Sequence, residues 1–169
     1  MLKDKLKSAI LPCVPAILMY YFRNTRNYFS FSKYKKLVSA NKRLKNIHTK
    51  DRCFILGSGP SINKEDLKPL KNEIVFALNN FYVHPDFKTI MSDDCPKYYI
   101  TASIHPPQTE GHWKNWFEDM EKHMPGHVRM LFGLNENKIT TKNIIDKYGL
   151  FRNHDVSWYF TGISLFQQY

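Results

Sequence analysis

Short apolar runs recur along the last two thirds of the chain, each bounded by glycine, proline or polar residues. Their length predicts β-strands at 53–56, 74–78, 96–102 and 128–132, with a further short strand at 88–91. The first run has no polar interruption, which is typical of a strand buried on both faces of a sheet. Apolar residues at helical spacing predict helices at 109–123 and 139–148, the second ending at Gly149. Strands alternating with helices predict an α/β fold, a single Rossmann-like domain with a mostly parallel sheet.

The first predicted strand runs directly into Gly57, Ser58 and Gly59. Glycines let a ligand approach the backbone closely, and a glycine turn between a strand and a helix start directs unpaired N–H groups at an anion. We expect Asn63 to cap that helix, with Asp66 in its first turn. A turn that binds nothing explains the two glycines equally well. The third glycine of a dinucleotide fingerprint and the Lys-Ser/Thr of a P-loop are missing.

The second predicted strand ends in Asn79 and Asn80, followed by Phe81 and Tyr82. Ligands of open parallel sheets bind beyond the carboxyl ends of the strands, where these carboxamides and the glycine turn share one edge. Carboxamides can read a base or sugar through paired donors and acceptors, and Tyr82 can add a hydroxyl. The alternative is that Asn79 and Asn80 only turn the chain.

These motifs resemble the bacterial sialyltransferases of glycosyltransferase family 42 and related surface-polysaccharide proteins with a Gly-x-Gly-Pro-Ser motif. The resemblance covers residues 53–103 well and 158–169 loosely. It implies a CMP-linked sugar donor held at Ser58, Gly59, Asn79 and Asn80, with the Thr161-Gly162 turn nearby, and it requires no metal or other cofactor. Gly57 and Ser103 join the predicted donor-binding residues because they lie at the same edge of the sheet. The chain departs from the family at Ala102-Ser103, where the family has Asn-Pro, and at Trp158, where it has Arg. The family's general-base His lies beyond Tyr169.

His105 follows the third predicted strand, so we expect it at the same edge of the sheet as Ser103. Imidazole changes charge near neutral pH, which makes His105 the candidate general base, although it can equally be a solvated loop residue. The apolar stripe of Trp113, Trp116, Phe117 and Met120 is predicted to be core. No metal site is predicted, because the adjacent carboxylates of residues 93–94 point apart on an extended chain.

Charged residues are distributed unevenly along the chain. Residues 1–52 contain 13 Lys and Arg against two Asp, whereas the remainder, with 12 basic and 13 acidic residues, is nearly neutral. A nearly neutral body argues against a nucleic-acid-binding domain. The three cysteines, an odd number without a metal or disulfide pattern, fit a reducing cytoplasm.

Residues 9–22 form an apolar segment that contains Pro12 and Pro15 and is flanked by lysines and arginines. It is shorter than the roughly 20 residues that span a bilayer. We therefore expect residues 1–36 to contact an anionic membrane surface, peripheral to the inner membrane on its cytoplasmic side. Packing on the domain and a signal peptide are the alternatives.

The sequence thus predicts a basic helical leader at 1–52 and, at 53–169, the N-terminal part of a nucleotide-sugar-binding α/β domain. Residues 161–169 begin a helix without a stop signal, so we expect a C-terminally truncated chain. The leading hypothesis is a glycosyltransferase that transfers a CMP-linked sugar to a glycan or lipid acceptor in surface-glycan or lipopolysaccharide synthesis. Two alternatives stay open: a non-catalytic membrane-associated partner in polysaccharide assembly, and an enzyme similar to 6-hydroxymethylpterin diphosphokinases, which share a similar turn. Oligomeric state is left open.

Overall fold

A computed structural model describes residues 15–92, 94–135 and 137–160 of the chain. Its α-helices are α1 (Ala16–Ser39), α2 (Phe87–Ile90), α3 (Glu110–His123) and α4 (Thr141–Tyr148). Its strands are β1 (Cys53–Leu56), β2 (Ile74–Leu78), β3 (Lys97–Thr101), β4 (Arg129–Leu134) and β5 (Val156–Phe160). Short 3-10 helices cover Ala40–Leu44, Pro60–Lys64, Lys68–Asn72 and Phe81–Val83.

The five strands form one parallel sheet in the order β1-β2-β3-β4-β5, which confirms the predicted α/β, Rossmann-like class. Each strand pairs with the next strand along the chain. Crossovers between parallel strands are right-handed in nearly all proteins, so the connections are expected to lie on one face of this sheet. The described sheet therefore contains no point at which the strand order reverses.

Burial distinguishes the two faces of the sheet. On one face Val75, Tyr99 and Phe132 are fully buried, with α3 and α4 packed against the sheet, whereas Phe54 and Val156 of the edge strands are half-buried. The opposite face includes Phe76 and Leu131, which are only half-buried. The main core therefore lies on one side of the sheet, and Phe117 of α3 joins it in edge-to-face contact with Phe132.

The prediction for β1 is wrong in one respect. The strand forms at 53–56, but it is an edge strand rather than one buried on both faces, and Ile55 is 69% exposed. Only Leu56 of its four residues is buried. An uninterrupted apolar run predicts a strand without specifying how many neighbours that strand has.

Three other predictions need correction. Residues 60–72 form two 3-10 helices in place of a capped α-helix; Asn63 lies inside the first, and the Asp66 carboxylate accepts from the Lys68 N–H two residues on. Pro60 and Pro69 lie at the starts of these turns, and their ring geometry favours such short segments. The predicted strand at 88–91 is the short helix α2, and β5 was not predicted.

Residues 36–160 lie in one compact unit, which is separate from the first part of α1. Within this unit, the segment after α1 contacts the sheet: Asn41 donates to the Trp158 carbonyl at 2.7 Å, and Arg43 pairs with Asp155 at 2.5 Å. His48 packs edge-on against Tyr98. Among the described residues, no helix is long and apolar enough to cross a bilayer.

Candidate functional site

The carboxyl ends of β1 and β2 lie side by side. Leu56 pairs with Ala77 in the parallel ladder, so the turn that follows β1 is adjacent to the turn that begins at Asn79. Ser58 and Asn80 line one cavity between these turns. The two predicted binding segments therefore occupy the same edge of the sheet.

The turn after β1 has free hydrogen-bonding capacity. Within the described residues, the backbone N–H groups of Gly57, Ser58 and Gly59 donate no hydrogen bond, and all three residues are exposed. N–H groups in series at a strand end provide several donors for one anionic group. Pairing with water satisfies them in the unliganded protein, and an oxyanion can replace that water.

The fold itself does not require glycine in this turn. Neither glycine has a left-handed φ, and a methyl group at Gly57 would have no heavy atom within 4 Å. At Gly59 the nearest atom would be Ser61 Oγ, 4.0 Å away. Both glycines are exposed, so the space beside each is open to solvent.

The turn after β2 is held by Tyr99. The Tyr99 hydroxyl donates to the Asn79 carbonyl and accepts from the Tyr82 N–H at 3.0 Å. Burial raises the pKa of this fully buried phenol, so it stays protonated and keeps donating. Asn79 adopts a left-handed φ of 51°, which asparagine tolerates better than most residues. Tyr99 thus fixes the position from which both carboxamides project.

The two carboxamides present donors rather than paired donors and acceptors. Asn79 Oδ1 accepts from the Ala102 N–H at 3.3 Å, and Asn80 Oδ1 accepts from Trp116 Nε1 at 2.7 Å. Among the described residues neither Nδ2 group makes a hydrogen bond. The exposed donors therefore match ligand groups that accept, such as phosphate oxygens or the O2 and N3 atoms of a pyrimidine.

Asn80 separates two cavities. The first, here called the turn cavity, has a volume of about 300 Å³ and its wall includes Ser58, Ile62, Asn63, Asn80, His84 and Asp86. The second, here called the indole cavity, has a volume of about 440 Å³ and its wall includes Asn79, Asn80, Ser103, His105, Trp113 and Trp116. The predicted residues Asn79, Asn80, Ser103 and His105 are therefore together in one cavity, while Ser58 lies in the other.

Ser103 is positioned by β4. A methyl group added to Gly133 would lie 2.7 Å from the Ser103 backbone nitrogen and 3.0 Å from its Cα, so only glycine fits beneath this loop. His105 is exposed, and its Nδ1 lies 2.7 Å from the Pro106 carbonyl oxygen. A carbonyl oxygen can only accept, so Nδ1 carries the proton of the neutral ring and Nε2 carries the lone pair. His105 thus has the tautomer that a general base facing the cavity needs.

The sequence prediction did not find the two indoles of the cavity. Phe117 and Met120 are core as predicted, but Trp113 and Trp116 are half-buried and line the indole cavity. Their place in the chain was the available signal: a helix that follows a parallel strand begins at the strand's carboxyl end, so its first two turns border the site.

Tyr82 is not part of the site. Its ring is buried, and its hydroxyl donates to the Asp119 carboxylate at 3.0 Å. The predicted Thr161-Gly162 turn lies outside the described residues. No group of metal-ligating side chains is found in the part of the chain that the structure describes.

No family model, curated protein or solved structure matches the chain. The sialyltransferase resemblance therefore depends on the sequence motifs alone.

Proposed function

We propose that this protein is a sialyltransferase-like glycosyltransferase that binds a CMP-linked sugar donor for surface-glycan synthesis. The observation that carries the proposal is the juxtaposition of unpaired N–H groups at Gly57–Gly59 with the outward Nδ2 donors of Asn79 and Asn80. Both sets lie at the carboxyl edge of a parallel sheet, where such folds bind nucleotides.

The donor set is suited to a nucleoside monophosphate. N–H groups of the turn would donate to the phosphate oxygens, and hydrogen bonds to a charged group contribute about 1.5–3 kcal/mol each. The carboxamide donors would meet acceptor atoms of the pyrimidine. Asp86, in the wall of the turn cavity, would accept from ribose hydroxyls.

Transfer of the sugar would proceed by displacement at its anomeric carbon. The acceptor hydroxyl oxygen forms the new bond, the bond from the anomeric carbon to the phosphate oxygen breaks, and CMP leaves with the electron pair. His105 Nε2 would take the hydroxyl proton, and the contact of its Nδ1 with the Pro106 carbonyl supports this role because it leaves Nε2 free of a proton.

The donor site is tested by calorimetric titration with CMP and the variant Asn79→Asp. This change keeps the oxygen that accepts from Ala102 and replaces the outward donor by a second acceptor, so we expect CMP affinity to fall at least tenfold. Asn143→Asp, at an exposed position of α4, adds the same charge away from the site and should bind CMP normally. Equal affinity of Asn79→Asp and the parent protein would contradict the proposal, and binding of ATP but not CMP would favour the diphosphokinase alternative.

The same proposal includes contact with an anionic membrane surface through residues 1–36. Among the α1 residues whose side chains the structure describes, the large apolar ones that are exposed fall within an arc of about 120° at 100° per residue, namely Ile17, Leu18, Tyr21, Tyr28 and Phe29. No acidic residue occurs in α1, so the helix would contact anionic headgroups without repulsion.

Flotation with phosphatidylglycerol vesicles tests this contact. We expect the protein to float with these vesicles and not with neutral phosphatidylcholine, and the double variant Tyr28→Ser, Phe29→Ser to float less. Val83→Ser removes an equally exposed apolar side chain from the compact unit and serves as the control. Unchanged flotation of the double variant would refute the role of this helix face.

A further inference from the structure

The side chains that line the indole cavity differ from those expected around a phosphorylated donor. Of its described lining residues, none is Asp, Glu, Lys or Arg. Burying an anion or cation there would leave the charge without an opposite partner, which is unfavourable. The cavity is therefore suited to an uncharged polar ligand.

The two indoles supply a rigid apolar wall. Trp113 and Trp116 meet edge-to-face at 5.6 Å, and Trp116 is fixed further by its hydrogen bond to Asn80 and by contact with Phe117 at 5.0 Å. Both rings are half-buried, so each keeps surface that the core does not cover. A fixed aromatic surface stacks against a flat apolar ligand face at little cost in conformational entropy.

Neutral hydrogen-bonding groups surround this wall. Gln108 and His112 contribute both donors and acceptors, and the Nδ2 donors of Asn79 and Asn80 lie where this cavity borders the proposed donor site. A pyranose ring has one face of C–H groups and a rim of hydroxyls, so it needs this combination of aromatic wall and uncharged polar rim. The volume of about 440 Å³ lies in the range of pockets that bind small molecules.

We propose that the indole cavity is the acceptor subsite and binds a neutral hexopyranose at the end of the acceptor glycan, with its C–H face against Trp113 and Trp116. His105 lies beside Trp113, with ring centroids 6.0 Å apart, so its Nε2 would be within reach of a hydroxyl on the rim of the stacked sugar. The inference rests on the proposed transferase function and adds to it that donor and acceptor meet at Asn79 and Asn80, with the acceptor on the side of the two indoles.

Indole N–H resonances provide the test. The chain has three tryptophans, and the third, Trp158, is buried in the sheet at 8% exposure, so it is an internal control. We expect lactose, methyl glucoside or methyl N-acetylglucosaminide to shift the Trp113 and Trp116 signals and leave Trp158 unmoved. Sorbitol, an open-chain polyol without a ring face, should shift none of them at the same concentration.

Substitution of Trp113 measures how much the aromatic wall contributes to sugar affinity. Trp113→Ala should weaken the sugar that binds by about tenfold, as expected for loss of an aromatic stack, while Trp113→Phe should restore most of the affinity. CMP affinity should stay within twofold in both variants, which also shows that they are folded.

The results of these experiments distinguish the proposed acceptor subsite from the proposed CMP donor site. If none of the three sugars shifts Trp113 or Trp116 while CMP shifts the amides of Gly57–Gly59, the acceptor subsite is refuted and the donor site stands. If sorbitol acts like the sugars, or if Trp113→Ala abolishes CMP binding, the acceptor assignment is also wrong. If CMP shifts no amide, the proposed function fails by itself.

Discussion

Replacing the glycines of the β1 turn by alanine should separate stability from binding. In Gly59→Ala the new methyl group would have its nearest neighbour, Ser61 Oγ, at 4.0 Å, and φ is −70°, which alanine adopts without strain. In Gly57→Ala it would contact nothing within 4 Å. Because alanine also reduces the entropy of the unfolded chain, each variant should gain about 0.4–1 kcal/mol of stability.

Binding should change in the opposite direction. A methyl group on either residue would occupy the space through which a phosphate reaches the turn N–H groups. Loss of one hydrogen bond to a charged group costs about 1.5–3 kcal/mol, so CMP affinity should fall by roughly 10- to 100-fold. Urea unfolding followed by circular dichroism gives the first quantity, and calorimetric titration with CMP gives the second.

Gly126→Ala is the matched control. A methyl group added at Gly126 would also have nothing within 4 Å, and this residue has no positive φ, but it precedes β4 at the opposite end of the strands. It should gain similar stability and keep full CMP affinity. Normal CMP affinity in both Gly57→Ala and Gly59→Ala would refute the reasoning, because no ligand would then approach the turn.

Three other predictions concern residues that pack next to the site or hold its turns in place. Gly133→Ala places a methyl group 2.7 Å from the Ser103 nitrogen, so it should destabilise the fold by about 1–3 kcal/mol and shift the Ser103 amide resonance. Tyr99→Phe leaves the Asn79 carbonyl and a buried N–H without their shared partner, which should cost about 1–3 kcal/mol and weaken CMP binding. Burial, followed by the hydrogen bond to a carboxylate, raises the pKa of Tyr82 to about 12, so urea unfolding should show stability that is full below pH 10 and falls as pH rises towards 12.

Controls for these predictions lie nearby in the structure. Tyr98→Phe removes a neighbouring hydroxyl that contacts His48 on the other face of the sheet, so it should leave CMP affinity unchanged. Tyr82→Phe should reduce the loss of stability between pH 10 and 12. A Tyr99→Phe variant with normal CMP affinity would show that the turn does not depend on this hydroxyl, and an unchanged alkaline profile in Tyr82→Phe would assign the loss to other groups.

Local pattern predicted the sheet, because four of its strands are runs of apolar residues with polar ends. The fifth, Val156–Phe160, is interrupted by the polar Ser157 and was not predicted. Pattern could not reveal that β1 is an edge strand, since the number of neighbours is set by pairing between distant segments.

Residues of the site could be predicted where polar side chains follow directly after a strand. Asn79, Asn80, Ser103 and His105 lie together because parallel strands end at one edge. The role of the carboxamide oxygens was not predictable, because their partners are Ala102 and Trp116, which are distant in sequence. Those contacts convert a pair expected to donate and accept into one that presents donors.

The most direct test of the central claim is the position of CMP on the protein, measured from backbone amide shifts during a titration. We predict that the largest shifts occur at Gly57, Ser58, Gly59, Asn79 and Asn80, with the β4 and β5 amides at the amino-terminal edge of the sheet unmoved. Unmoved resonances at the β1 turn, or shifts confined to another part of the protein, would contradict the claim that these two strand ends form a nucleotide site.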